Sequence, residues 1–449
     1  GKPVFDLVVM DEASQATVEK GLPALVRGHR AVVAGDEKQM PPSRFFELRT
    51  PGEDEIGTAE TVEADALTAE SLLVLARERC HHAGLRWHYR CLHEELIAFS
   101  NHAMYGGGLF TIPSTATPDA PPALRWEHVE DGAYDRGGNT IEAERVVDVV
   151  AELLAQGAPP SVGVVTFNIQ QRRIILDALD RRAETDEDFG LRYAEARSHD
   201  SVEQRPFVKN LESVQGDERD IIIFSLGHAP VERRSGPLKG QAYVPARFGP
   251  LGQIGGERRL NVAVSRAKRG CVIVASFTPN MLSVANSKHD GPKLLKAFLE
   301  FAWDLTHGRR RQADKTLERV RSGSMGADRR KRLGVELRVP SLAAQIALAL
   351  EEKGVGYDLD VGTSGFRVPL ALRDPAVAQS WRVAVLTEEG HDPGDVDEAH
   401  RHAPGVLRAR GWQVERVDAR AWHKDPAAVV ARLVAALGEG ERVPEGWPE

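Results

Sequence analysis

Three runs, Ser161–Phe167 (SVGVVTF), Asp220–Gly227 (DIIIFSLG) and Cys271–Phe277 (CVIVASF), are apolar almost without interruption and no longer than a strand. A strand that is apolar at nearly every position needs cover on both faces, which a parallel sheet between two helix layers provides. Helix-like stretches such as Gln170–Arg182 lie between the runs. This βα alternation predicts a doubly wound α/β domain. Two shorter β-rich runs, Val4–Met10 and Arg30–Ala34, each end in acidic residues. Thr68–Arg79 and Leu92–Met104 have helical periodicity. With 449 residues the chain exceeds one compact core, so two or three domains are expected.

Charge and cysteine usage narrow the classes. The formal net charge of −8 gives no global pull on a polyanion, so any nucleic-acid contact must come from local basic surfaces. No apolar run approaches the roughly 18 to 20 residues of a membrane span. The three cysteines, Cys80, Cys91 and Cys271, form no CxxC pair, which argues against a disulfide framework and suits a reducing cytoplasm. The chain opens on Gly, not Met, directly before a strand that reads as buried, which suggests a fragment.

The chemistry concentrates at strand ends. Val8-Val9-Met10 delivers Asp11-Glu12-Ala13-Ser14-Gln15, an apolar strand ending in paired carboxylates. Such a pair can hold Mg²⁺ through the Asp and orient water through the Glu; an acidic first helical turn is the plainer alternative. About 20 residues on, Ala31–Pro42 reads AVVAGDEKQMPP, a second strand followed by Gly35-Asp36 and Gln39. DEAxQ followed by GDxxQxPP resembles the superfamily 1 helicases, within the Upf-like group that includes the RNA-surveillance helicase and the replication nuclease-helicase.

That resemblance extends over roughly residues 1–305. Trp87-His88-Tyr89-Arg90, followed by Glu94–Asn101 and Tyr105, is similar to the family's fourth motif, in which Arg90 would reach the γ-phosphate. Val164–Asn168 with Gln170-Gln171 resembles the next segment, implying that Thr166 and Asn168 face a nucleic-acid strand. Glu212-Ser213-Val214-Gln215-Gly216-Asp217-Glu218 resembles the fifth motif, with Ser213 and Gln215 toward nucleic acid and Gly216 and Glu218 toward the nucleotide. Arg259–Lys268 resembles the sixth, with Arg266 as arginine finger. The resemblance therefore implies ATP and Mg²⁺ as cofactors, Asp11 as metal ligand, and catalysis by Asp11, Glu12, Gln39, Arg90 and Arg266, with Gly35 and Asp36 at the nucleotide. Phosphoryl transfer is catalysed chiefly by positioning and charge stabilisation, which suits guanidinium forks. The family also needs a GxxxxGK loop ending in Ser or Thr, and no such string occurs here. It is expected on an upstream segment or a partner chain.

Residues 307–334 carry ten Lys/Arg against three acids and read as a basic linker. Beyond it, Gly362–Leu370, Val383–Gly390, Arg410–Val414 and Trp422 resemble a Vsr-type restriction-endonuclease fold. That fold clusters carboxylates on two strands to bind Mg²⁺. Pro369 and Thr387 stand where two of them are expected, leaving Glu388 and Glu389, so a degenerate nuclease site is expected. Arg367, Arg408 and Arg410 could still meet a duplex. Cys80-His81-His82 fits no common zinc spacing, and Gly106–Gly108 reads as a turn.

The organisation expected is the tail of a first RecA-like lobe (1–48), an acidic loop (49–69), a second RecA-like lobe (70–306), the linker (307–334) and an inactive endonuclease-like domain (335–449). The function expected is ATP-driven translocation on a single strand. A nuclease that uses the lobes as a loading device, and a non-catalytic nucleic-acid-binding module, are the rivals.

Overall fold

The computed structural model describes residues 3–42, 69–115, 122–232, 240–245, 248–323, 341–377, 380–387 and 398–438. First come β1 (Phe5–Met10), α1 (Val18–Leu25) and β2 (Gly28–Val33). β1 and β2 pair in parallel, with Val8 opposite Ala31 and Met10 opposite Val33. Helix α2 (Leu72–Arg79) starts where the Ser71 hydroxyl caps the Val74 amide, later than the periodicity from Thr68 suggests. Helix α3 (Glu94–Tyr105) follows and ends on left-handed Gly106, so the triple glycine is a helix C-cap.

The second lobe runs through β3 (Leu124–His128), α4 (Thr140–Leu154), β4 (Val162–Thr166), α5 (Ile169–Thr185), α6 (Glu187–Arg197), β5 (Phe207–Asn210) and β6 (Arg219–Ser225). A small hairpin, β7 (Val231–Glu232) and β8 (Ala242–Tyr243), precedes α7 (Gly256–Val264), β9 (Ala267–Ala275) and α8 (Asp290–Thr306). Its sheet has the order β3-β9-β6-β4-β5, and every pairing is parallel. Successive residues of one strand serve opposite cores, as the pleat requires. Ile222 and Phe224 pack with Phe99, Leu260 and Phe298, whereas Ile223 joins Val146, Val164 and Ile175. The central strands, apolar along most of their length, are covered on both faces, the layout of a RecA-like lobe.

The stretch expected as a tether is in part a helix, α9 (Arg310–Gly323). Ala313, Thr316, Leu317 and Val320 are buried at helical spacing, and the three apolar ones join the core of the second lobe. Charged residues crowd the remaining faces and hide this narrow stripe. Residues 43–68, most of the acidic loop, lie outside the described residues, as do residues 324–334 of the linker.

The C-terminal domain comprises α10 (Leu342–Glu351), β10 (Tyr357–Val361), β11 (Val368–Arg373), β12 (Trp381–Thr387), α11 (Ala403–Ala409), β13 (Gln413–Val417), α12 (Ala419–Lys424) and α13 (Pro426–Gly438). Its sheet order is β10-β11-β12-β13, antiparallel except for the β12–β13 pair. One face packs on α10 and α13 with Trp422. The other holds Trp412 and Leu407 and meets Ile112 of the second lobe.

Candidate nucleotide site

The first cluster forms where β1 and β2 end. The Ala34 amide donates to the Met10 carbonyl (2.8 Å), and the Ala13 amide donates to the Ala34 carbonyl (2.9 Å). Asp11-Glu12 and Gly35-Asp36 therefore emerge side by side at the carboxyl edge of parallel strands, where α/β sheets bind ligands. Glu12 adopts the left-handed conformation (φ 51°), a strained choice for a non-glycine residue. Its amide donates to Asp11 Oδ1 (2.8 Å), and its carboxylate accepts from Gln15 Nε2 (3.1 Å). At Gly35 a Cβ would lie 3.1 Å from the Ser14 amide nitrogen, so glycine lets the two turns approach.

Asp36 ties this cluster to the second lobe. It accepts from the Lys38 amide (2.8 Å), Gln39 Nε2 (3.1 Å) and the Tyr105 hydroxyl (2.5 Å). Asn261 Nδ2 donates to the Lys38 carbonyl (2.9 Å) and to the Tyr105 hydroxyl (3.0 Å). Burial, then the Asp36 charge, pushes the Tyr105 phenol up, which keeps it a neutral donor. Gln39 Oε1 is buried and, among the described residues, has no protein partner.

The second cluster faces this seam from the five-stranded lobe. Glu218 accepts from Arg90 Nε (2.5 Å) and pairs with Lys268 Nζ (2.8 Å). Partial burial works to raise the Glu218 carboxyl, but hydrogen bonds from Lys268 and Arg90 prevail and hold it below its usual range. Arg266 is 3% exposed. Its Nε donates to the Val262 carbonyl (2.8 Å) and its Nη2 to Ser265 Oγ (3.1 Å). Burial first, then Arg90, brings its guanidinium down to about 10, while Glu218 and Glu12 act in the opposite sense. Arg266 thus sits within the fields of both clusters. His88 is held down to about 3 by burial, then by Arg90, Arg410 and Arg266, so its imidazole is neutral and accepts from the Cys91 amide (3.2 Å).

The residues expected to face a strand divide. Thr166 is fully buried, and its hydroxyl donates to the Asn168 carbonyl (2.9 Å). A strand-end threonine turns inward here because the sheet is covered on both faces. Asn168 caps α5 by accepting from the Gln171 amide (2.7 Å). Ser213 is exposed and donates within its own turn to Asn210 Oδ1 (2.6 Å). Gln215 buries both amide atoms without a protein partner among the described residues, and Gly216 after it is left-handed (φ 85°).

In the C-terminal domain Pro369 lies on β11, and Thr387 ends β12 with its hydroxyl buried. Glu388 and Glu389 lie outside the described residues. Arg410, expected as a duplex contact, is 6% exposed, and its Nη2 donates to the Tyr89 carbonyl (2.6 Å). Lys268 and Asn261 are site residues without an assigned role in the sequence reading. Both flank Arg266 within its motif, the signal that could have found them.

Comparison with known proteins accords with this geometry. Residues 2–45 and 68–278 each match a family described as AAA domain. An uncharacterized ATP-dependent helicase of Mycoplasma pneumoniae is 29% identical over 443 residues, covering 98% of this chain and 37% of that protein. Its counterpart in Mycoplasma genitalium is 34% identical over 300 residues, 66% of this chain and 25% of that protein. The ATP-dependent helicase NAM7 of Saccharomyces cerevisiae is 26% identical over 294 residues, 61% of this chain and 25% of that protein. The chain therefore spans between a quarter and about two fifths of the length of these relatives.

Proposed function

From the premise that this chain carries AAA-type domains, we propose that it is the C-terminal portion of a superfamily 1, Upf-like helicase or translocase that couples Mg-ATP hydrolysis to movement along a nucleic-acid strand. The observation that carries this reading is the convergence of Arg90, Glu218, Lys268 and Arg266 on one side of a seam whose other side presents Asp11, Glu12, Asp36 and Gln39. Asp11, a carboxylate at a strand's carboxyl end, offers the hard oxygen donor that Mg²⁺ prefers, and the ion would supply charge neutralisation at the phosphates. Glu12 and Gln39 orient the attacking water. Arg90 and Arg266 stabilise charge that develops on the γ-phosphate. Because the two groups belong to parts joined through Tyr105 and Asn261, opening and closing of the seam is the step that hydrolysis would drive. The phosphate-binding loop is proposed to come from an upstream segment or a partner chain. Relatives longer than this chain and the exposed apolar residues of β1 support that.

We assign the C-terminal domain as a Vsr-like endonuclease fold that does not cleave. Pro369 and Thr387 lack carboxylates, and Asp358 is committed to Arg373 (2.8 and 2.9 Å) and to Trp381 Nε1 (2.8 Å).

The test is Arg266→Ala in the full-length protein. Strand-stimulated phosphate release should fall by about 10³ or more, the scale of a lost arginine finger, with a much smaller loss in ATP affinity. A variant that kept its rate would remove Arg266 from the chemistry.

A further inference from the structure

Beside Arg90 lies a cavity of about 790 Å³, and its walls come from two domains. The second lobe contributes the Trp87–Arg90 segment with Glu218 and Lys268, and the C-terminal domain contributes Val406 and Ala409 of α11 with Arg410. The two walls are joined firmly. The Trp87 ring packs on Phe366 (5.0 Å between centroids) and on His402 (5.3 Å), both from the C-terminal domain. Arg410 holds the Tyr89 carbonyl, one residue before Arg90. Farther along the joint, Trp412 Nε1 donates to the Pro113 carbonyl (2.8 Å), and the Thr363 amide donates to the buried Glu94 carboxylate (2.9 Å).

The lining has the chemistry of a nucleoside site. Its size is within the range of small-ligand pockets, which are mostly apolar with a few placed polar groups. The ring of Tyr89 is exposed beside the Arg90 guanidinium and offers a flat surface to a base. The Glu218 carboxylate, held by Arg90 and Lys268, lines the same wall. Cations outnumber carboxylates where the phosphates would begin: Arg90, Lys268 and Arg410 face Glu218 and Asp220. Burial first, and then the guanidinium groups of Arg90, Arg410 and Arg266, keep the His88 imidazole of this wall neutral.

We propose that the C-terminal domain is the outer wall of the nucleotide site, closing this cavity from the side of Val406 and Ala409. The appended domain then sets nucleotide affinity and release, a task that needs no carboxylate cluster. This rests on the reading of Arg90 and Glu218 as nucleotide contacts.

Val406→Trp in the full-length protein fills the cavity from the C-terminal side and alters no helicase motif. Calorimetric titration with Mg-ADP should show affinity at least tenfold weaker, and KM for ATP should rise with kcat nearly unchanged. Affinity for a single strand should be unaffected. Ala409→Leu, a smaller intrusion from the same helix, should shift affinity in the same direction and serves if the tryptophan variant does not fold. Unchanged Mg-ADP affinity in both variants, while Arg90→Ala weakens it, would overturn the composite wall and leave the helicase reading intact. Unchanged affinity in Arg90→Ala and Glu218→Gln as well would overturn the nucleotide reading on which the proposal stands.

Discussion

β1 (FDLVVM) and β6 (RDIIIFS) are written in similar residues and end in opposite environments. Phe5, Leu7 and Val9 of β1 are 53%, 50% and 60% exposed, whereas Ile222, Ile223 and Phe224 of β6 are at most 2% exposed. β6 has β4 and β9 on its flanks and helices over both faces, while β1, among the described residues, pairs with β2 alone. Apolar content states what a strand requires. Neighbours decide whether it is met. The two regions also divide the site: the exposed strands end in Asp11, Glu12 and Asp36, while Arg90, Glu218, Lys268 and Arg266 belong to the second lobe.

The largest expected effect breaks or upholds this contrast directly. Phe224→Ala should destabilise the protein by about 3 to 5 kcal/mol, the usual cost of an aromatic cavity in a packed core. In the 449-residue chain alone, Val9→Ala should fall within about 0.5 kcal/mol, as for exposed positions. Urea unfolding followed by circular dichroism measures both. Comparable losses at the two sites would mean that β1 is covered in solution.

A smaller effect concerns a charge that the buried sheet conceals. Glu142, near the start of α4, is fully buried and accepts from Ser225 Oγ (2.8 Å) and the Gly227 amide (2.7 Å). Burial pushes its carboxyl up to about 7, against the lowering effect of these hydrogen bonds. A folded-state value above the unfolded one gives stability that is full below about 4.5 and is lost as pH rises to about 7. Glu142→Gln removes that dependence and keeps an acceptor for both donors. Relative to the variant, the parent protein should lose on the order of 2 to 3 kcal/mol between pH 5 and pH 8. Parallel stability curves across that range would show that the carboxylate stays ionised.

How much of this was legible follows from the kind of signal each feature leaves. Three strands of the five-stranded sheet, β4, β6 and β9, were readable because a strand covered on both faces carries a near-continuous apolar run. Helix α9 was not, since Ala313, Thr316, Leu317 and Val320 are scattered among arginines and acids that occupy the solvent faces. Strands β10 (YDLDV) and β13 (QVERV) were also missed, because edge strands mix charge with apolar residues. At the site, motif order indicated Asp11, Asp36, Arg90, Glu218 and Arg266; in the structure Asp36 bonds Tyr105, and Arg90 pairs with Glu218. The direction of the Thr166 hydroxyl and the destination of Arg410 depend on what lies opposite, which no local string records. The Asn261 contact with the Lys38 carbonyl spans 223 positions and has no local signature.

The finest test separates the two regions by cutting the bond between them. The Tyr105 hydroxyl is at once a donor to Asp36 and an acceptor from Asn261, so Tyr105→Phe removes two contacts while keeping the ring. A hydrogen bond to a charged group contributes about 1.5 to 3 kcal/mol, but the half-buried Asp36 carboxylate regains water, so a global loss near 1 kcal/mol is expected. The local consequence is larger than the global one. Hydrogen exchange followed by mass spectrometry should show peptides from residues 5–42 exchanging faster in the variant, while peptides from β6 and β9 remain as protected as before. That asymmetry follows because the sheet of the second lobe keeps its own core, whereas the two exposed strands depend on the seam. Acceleration in both regions would mean that they unfold as one unit, and no acceleration in either would mean that Tyr105 does not hold them together.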